Sequence, residues 1–119
     1  MPAQSPEEVD VLFEKYLNAG DLDGLVALYE AGATLIPSPG EAATGSAAIR
    51  ESLAAFVGMK PVIDLKVQRS IVNGDIAVLF SDWTMTGGGQ EMAGKTVEVV
   101  RRQADGSWRF VIDDPYARG

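Results

Sequence analysis

The 119-residue chain contains neither cysteine nor histidine. Their absence removes disulfides, thiolate and imidazole metal sites, and the Ser-His-Asp and Cys-His nucleophile systems, so neither metal nor cofactor is expected. Any chemistry falls to carboxylates, Tyr, Lys, Arg and hydroxyls. Basic residues are scarce as well: 10 Lys and Arg stand against 17 Asp and Glu, for a formal net charge of −7. Nucleic acid and anionic membrane both require a basic face, and neither is expected as a partner. Long apolar runs are missing, since nothing approaches the ~18 residues that span a bilayer. The opening Met1-Pro2-Ala3-Gln4 has neither the basic nor the apolar region of a secretion signal. Together with the lack of Cys, this leads to the expectation of a cytoplasmic protein. The length suits one domain, taken as residues 1–119.

What is present changes character halfway. Residues 1–60 hold nine acids and three bases, and residues 61–119 hold eight and seven, so the acidic surplus belongs to the first half. Ser5-Pro6-Glu7-Glu8 is a helix start, with a Ser cap, Pro in the first turn and Glu placed to close a capping box. Val9, Leu12, Phe13, Tyr16 and Leu17 then recur at three-and-four spacing, and Gly20 ends the helix. Asp21 caps a shorter helix carrying Leu22, Leu25, Val26 and Tyr29, closed by Gly32. Ala33-Thr34-Leu35-Ile36 reads as a brief edge strand that stops at Pro37-Ser38-Pro39-Gly40. Ser46 caps a third helix with Ile49, Leu53, Phe56 and Val57 on one stripe, ended by Gly58 and Pro61.

The period then drops from 3.6 to 2. Ile63, Leu65, Val67 and Ile71 alternate with polar residues, and turns at Asn73-Gly74-Asp75, Gly87-Gly88-Gly89 and Asp105-Gly106 separate strands at about 76–86, 90–103 and 107–114. Strands this long must coil. The expected fold is α+β: a cone-shaped, strongly curved antiparallel sheet, made of one short edge strand and a four-stranded meander, closed by three N-terminal helices.

This order, with the segments Tyr16-Leu17-Asn18-Ala19-Gly20-Asp21-Leu22-Asp23-Gly24-Leu25, Leu28–Leu35, Gly45–Arg50 and Asp105–Pro115, resembles the nuclear-transport-factor-2-like superfamily, with its cystatin-like cone, and within it the small bacterial SnoaL-like and ketosteroid-isomerase-like proteins. The resemblance covers nearly the whole chain. It implies a pocket between helices and sheet, and dimers formed through the sheet. It also implies a function as isomerase, cyclase, dehydratase or non-enzymatic binder. In ketosteroid isomerase an Asp base works with a Tyr and a neutral acid. By that likeness Tyr16 stands at the oxyanion Tyr and Glu98 at the neutral acid, whereas Pro37 occupies the position of the base.

Three groups of residues carry the functional reading. Glu98 lies between Val97 and Val99 on a central strand, where a carboxyl must meet solvent, a partner or a cavity. Asp114 shares a phase with Trp108, Phe110 and Ile112, so a face looking into the cone would carry it inward and raise its proton affinity. Tyr16, Glu98 and Asp114 are therefore the candidate catalytic residues. Leu35, Pro37, Phe56, Met59, Trp83 and Met85 join Tyr16 and Glu98 as the candidate pocket lining, with Met supplying adaptable walls. On the strand near 76–86 both phases are apolar, so a sheet covered on both sides, by helices and by a second subunit, is expected. The leading reading is a protein that binds an apolar small molecule, most plausibly as a homodimer. An isomerase or lyase acting on an apolar carbonyl compound, and a non-catalytic dimerisation module, are the alternatives.

Overall fold

The computed structural model describes residues 2–117; Met1 and residues 118–119 of the expected 1–119 unit lie outside them. Helix α1 spans Pro6–Ala19, α2 Leu22–Val26 and α3 Ser46–Gly58, and the strands are β1 Tyr29–Leu35, β2 Ala43–Thr44, β3 Val62–Asn73, β4 Ile76–Gly87, β5 Gln90–Arg102 and β6 Trp108–Asp114. They form one curved, unclosed sheet in the order β2-β1-β6-β5-β4-β3. The fold is the expected α+β cone.

Local chemistry sets the element ends. Ser5 accepts from the Glu8 N–H at 3.2 Å, while the Glu8 carboxylate accepts from the N–H of Gln4, one residue before the cap. Gly20 leaves α1 in the left-handed region at φ 71°. Asp21 caps α2 by accepting from the Gly24 N–H. The α3 cap is Gly45, without a side-chain hydrogen bond, rather than the expected Ser46. In the β4–β5 turn both Gly88 and Gly89 have positive φ, as a tight hairpin requires.

Two features depart from the sequence expectation. Helix α2 stops at Val26, and Tyr29 begins a strand instead of continuing the apolar face of a helix. That strand is not an edge. It lies parallel to β6 and carries the two-residue β2 on its other side. The second departure is a bulge in β6: Val99 pairs with Ile112 but Val100 pairs with Phe110, leaving Val111 as an extra residue. A bulge of one residue reverses which side chains face inward beyond it.

Helix α1 closes the inner face and covers the exposed edge of β3. The Ile63 N–H donates to Asn18 Oδ1 and the Asn18 amide donates back to the Ile63 carbonyl, at 2.7 and 3.0 Å. Glu14 accepts from the Leu65 N–H at 2.9 Å, and Glu7 from the Ser70 hydroxyl at 2.6 Å. These bonds satisfy donors that an open strand edge would leave to water or to another chain. The buried core beneath includes Phe110, Leu25, Leu35, Ile49, Leu53 and Leu79. None of the described helices is long and apolar enough to cross a membrane.

Candidate functional site

Between α1, α3 and the inner face of the sheet lies a cavity of about 50 Å³. Its wall is formed by Phe13 and Leu17 of α1, Leu35 of β1, Leu53 and Phe56 of α3, Ile63 and Leu65 of β3, Trp83 and Met85 of β4, Thr96 and Glu98 of β5, Asp113 of β6, and Pro115 with Tyr116 beyond it. That volume accommodates a few water-sized groups and lies far below the ~300 Å³ at which ordinary ligand pockets begin. The C-terminal segment narrows it. The Trp83 indole N–H donates to the Pro115 carbonyl at 2.9 Å, the Tyr116 ring meets Trp83 edge-on, and the Tyr116 hydroxyl donates to the Pro37 carbonyl at 3.2 Å.

One side of this apolar space is polar and fully buried. Glu98 and Asp113 face each other across the β5–β6 ladder, each about 3% exposed. The Tyr29 hydroxyl donates to Asp113 Oδ2 at 2.5 Å. Behind Glu98, on α1, Asp10 is 1% exposed and accepts from the Ser81 hydroxyl at 2.6 Å. The Asp10 and Glu98 carboxyls are neighbours within hydrogen-bonding reach. The result is a row of Asp10, Glu98, Asp113 and Tyr29 contributed by α1, β5, β6 and β1.

No base neutralises this row: the ion pairs among the described residues, Arg50–Asp23, Arg101–Glu30 and Arg102–Asp75, involve none of its members. Burial without a counterion favours the protonated acid. Glu98 is held well above the usual carboxyl range, first by burial and then by the charges of Asp10 and Asp113. Burial also raises Asp10, opposed by its hydrogen bonds to Glu98 and Ser81. Asp113 is pushed up to about 7 by burial, with the Tyr29 hydrogen bond pulling the other way. Tyr29, buried beside Asp113, is raised well above its ordinary value. Burial thus biases Glu98 toward the un-ionised form, which can donate a hydrogen bond, beside an Asp113 pushed up to about 7.

The placement of the sequence candidates follows from these elements. Glu98, Leu35, Phe56, Trp83 and Met85 line the cavity, whereas Tyr16, Pro37 and Met59 do not. Tyr16 sits where α1 meets α2, with its ring against Gly24. Pro37 lies past the end of β1, where only its carbonyl reaches Tyr116. Met59 packs beside the Gly87-Gly88 turn. Asp114 is a correction: the Val111 bulge turns Asp113 inward and leaves Asp114 only partly buried, accepting from the Tyr116 N–H at 3.1 Å.

Three members of the row were not anticipated. Tyr29 has helical spacing after Leu22, Leu25 and Val26, and only its pairing with β6 puts it on a strand. Asp113 was hidden by the bulge. Asp10 corrects the reading of α1: the spacing of Val9, Leu12, Phe13, Tyr16 and Leu17 places Asp10, with Glu7 and Glu14, off the buried face, yet it is 1% exposed, on a second inward row with Pro6, Phe13 and Leu17.

Comparison with known proteins agrees with this architecture. The model of the SnoaL-like domain matches residues 9–111, and the chain belongs to that family. Its fold is that of the nuclear-transport-factor-2-like proteins. A protein from Thiobacillus denitrificans, provisionally assigned as a calcium/calmodulin-dependent protein kinase type II association domain, is 22% identical over 97% of this chain and 98% of its own, with a TM-score of 0.80. A ketosteroid isomerase-like protein from Erwinia carotovora atroseptica is 20% identical over 91% and 89%, with a TM-score of 0.73. A provisionally assigned dehydratase from the NTF2-like family, of Streptomyces avermitilis, is 17% identical over 91% and 92%, with a TM-score of 0.74. At these identities the likeness is one of fold.

Proposed function

We propose that the cavity binds a small, largely apolar molecule carrying one hydrogen-bonding oxygen. The observation that carries this reading is Glu98: it borders a largely apolar cavity, and one of its buried carboxyl oxygens has no hydrogen-bond partner of good geometry. An unmet buried polar group is costly, and a ligand carbonyl or hydroxyl meeting the un-ionised Glu98 would relieve that cost. Ligands beyond a few atoms enter by displacing the Pro115–Tyr116 segment, which the Trp83–Pro115 and Tyr116–Pro37 hydrogen bonds and the Trp83–Tyr116 ring contact tie to the body of the fold.

A second reading, acid–base catalysis of the isomerase or dehydratase type, rests on the contrast between neighbours. An un-ionised Glu98 would donate to the substrate oxygen while Asp113, titrating at about 7, takes up a proton from the adjoining carbon. Asp113 then does the work that the superfamily resemblance gives to the position of Pro37, and Tyr29, not Tyr16, is the hydroxyl that orients it. In either reading the protein works in the cytoplasm as a homodimer joined through the outer face of the sheet. That face gathers Ile71, Val78, Phe80, Val97, Val99 and Ile112, with Ile71 and Ile112 about 45% exposed.

A matched pair of probes tests the binding reading. Cyclopentanone should shift the methyl resonances of Met85 and Ile63 saturably and bind about tenfold tighter than cyclopentane, the worth of one buried hydrogen bond. In Glu98→Leu the preference should vanish or invert. Equal affinity for ketone and hydrocarbon, or no saturable shift with either, contradicts it.

A further inference from the structure

A second opening reaches the same row of acids at Asp10. Between α1 and β3 lies a surface cleft of about 440 Å³, lined by Glu7, Asp10, Val11, Gln68, Arg69 and Ser70 among others. It sits at the irregularity where Val67 pairs with Ser81 but Arg69 pairs with Phe80, so that Gln68 is an extra residue in β3. Asp10 borders this cleft and not the cavity, whereas Glu98 and Asp113 border the cavity and not the cleft. Leu65 lines both and separates them.

We propose that Asp10 and Glu98 form a proton relay through the wall of the fold, by which the acid–base groups of the closed cavity exchange protons with water in the α1–β3 cleft. Two adjacent buried carboxyls can pass a proton between them, and Asp10 Oδ1 and Glu98 Oε1 are oxygens without well-formed hydrogen bonds. In each outward passage the Glu98 O–H bond breaks as an O–H bond forms on Asp10. The Asp10 O–H then breaks as a cleft water takes the proton to become hydronium, and Glu98 is left as carboxylate. Reprotonation from the cavity side, by a proton held on Asp113, restores Glu98 and completes the transfer of one proton. Ser81, donating to Asp10 Oδ2 at 2.6 Å, fixes the position of that carboxyl. The charged groups at the outer end are Glu7, bonded to Ser70, and Arg69. Asp10 is in this scheme a positioning and relay residue, since it touches no cavity ligand.

The relay rests on the proposed role of Glu98 as an un-ionised acid, but its test needs no ligand, so it fails or stands separately from binding. The carbonyl stretch of the Glu98 carboxylic acid, assigned by its loss in Glu98→Gln, shifts when the proton is replaced by deuterium. Infrared spectra after rapid transfer to heavy water therefore time the exchange. In Asp10→Asn, which keeps size and hydrogen bonding but cannot pass a proton on, exchange should slow at least tenfold while the core amide of Leu79 exchanges as before. Val11→Trp, which fills the cleft from an exposed position, should slow it as well and decides the matter if Asp10→Asn does not fold. A merely structural loss would speed exchange through easier opening. Unchanged carboxyl exchange in the folded variants, or slowing matched by the Leu79 amide, overturns the relay.

Discussion

Asp113 and Asp114 are adjacent, chemically alike, and opposite in fate. Asp113 is buried against Tyr29 and pushed up to about 7, while Asp114 caps the turn to Tyr116 at the surface of the site. The difference has a sign that can be measured. Between the ordinary carboxyl range and about pH 7 the native state keeps a proton on Asp113 that the unfolded chain releases. This component of stability is therefore complete at low pH and is lost as pH rises through about 7, at up to about 1.4 kcal/mol per pH unit. Glu98 and Asp10, also raised, act in the same direction. Asp113→Asn, in which the amide oxygen still accepts from Tyr29, should lessen the decline in urea-unfolding stability between pH 5 and 8. Tyr29→Phe removes the hydrogen bond to a buried carboxylate. It should cost about 1–3 kcal/mol at neutral pH and move Asp113 still higher, as read by carboxyl carbon-13 shifts. At this scale Glu98 was legible because a lone carboxyl among β-branched residues on a central strand must be accounted for. Asp113 was not, because alternation fails silently when one residue bulges.

Among the elements, β4 and β5 depend on one close approach. A Cβ on Gly94 would come within 2.6–2.8 Å of the Trp83 indole, so the ring lies directly over a position that only glycine leaves clear. The same ring lines the cavity and donates to Pro115. Gly94→Ala should force the indole to shift, lower stability by about 1–3 kcal/mol, and break the Trp83–Pro115 hydrogen bond. Thermal unfolding and the indole N–H resonance of Trp83 report the two effects. The long strands, α1 and α3 were readable from period and caps, because each buries one continuous face. Helix α2 and β1 were not fully readable: Leu22, Leu25, Val26 and Tyr29 satisfy a helical pattern, and it is the parallel pairing of β1 with β6, a contact between distant segments, that extends the strand back to Tyr29.

For the whole molecule, the sheet has two apolar faces. The inner face meets helices and the acid-lined cavity, while the outer face gathers half-buried Phe80, Val97 and Val99, with the Arg69 guanidinium over the Phe80 ring and Ile71 and Ile112 about 45% exposed. If two copies join there, Val99→Lys should convert a dimer to a monomer in sedimentation while leaving the pH dependence of the buried acids intact, since its side chain points away from them. The lack of histidine noted in the sequence now has a positive counterpart: Asp113, pushed up to about 7 by burial, occupies the range an imidazole would supply. The whole functional reading depends on that displacement. A carbon-13 titration of the Glu98 and Asp113 side-chain carboxyls between pH 3 and 9 tests it most directly. Asp113 should titrate near 7 and Glu98 well above the usual carboxyl range; two ordinary titrations near pH 4 would contradict the proposed site.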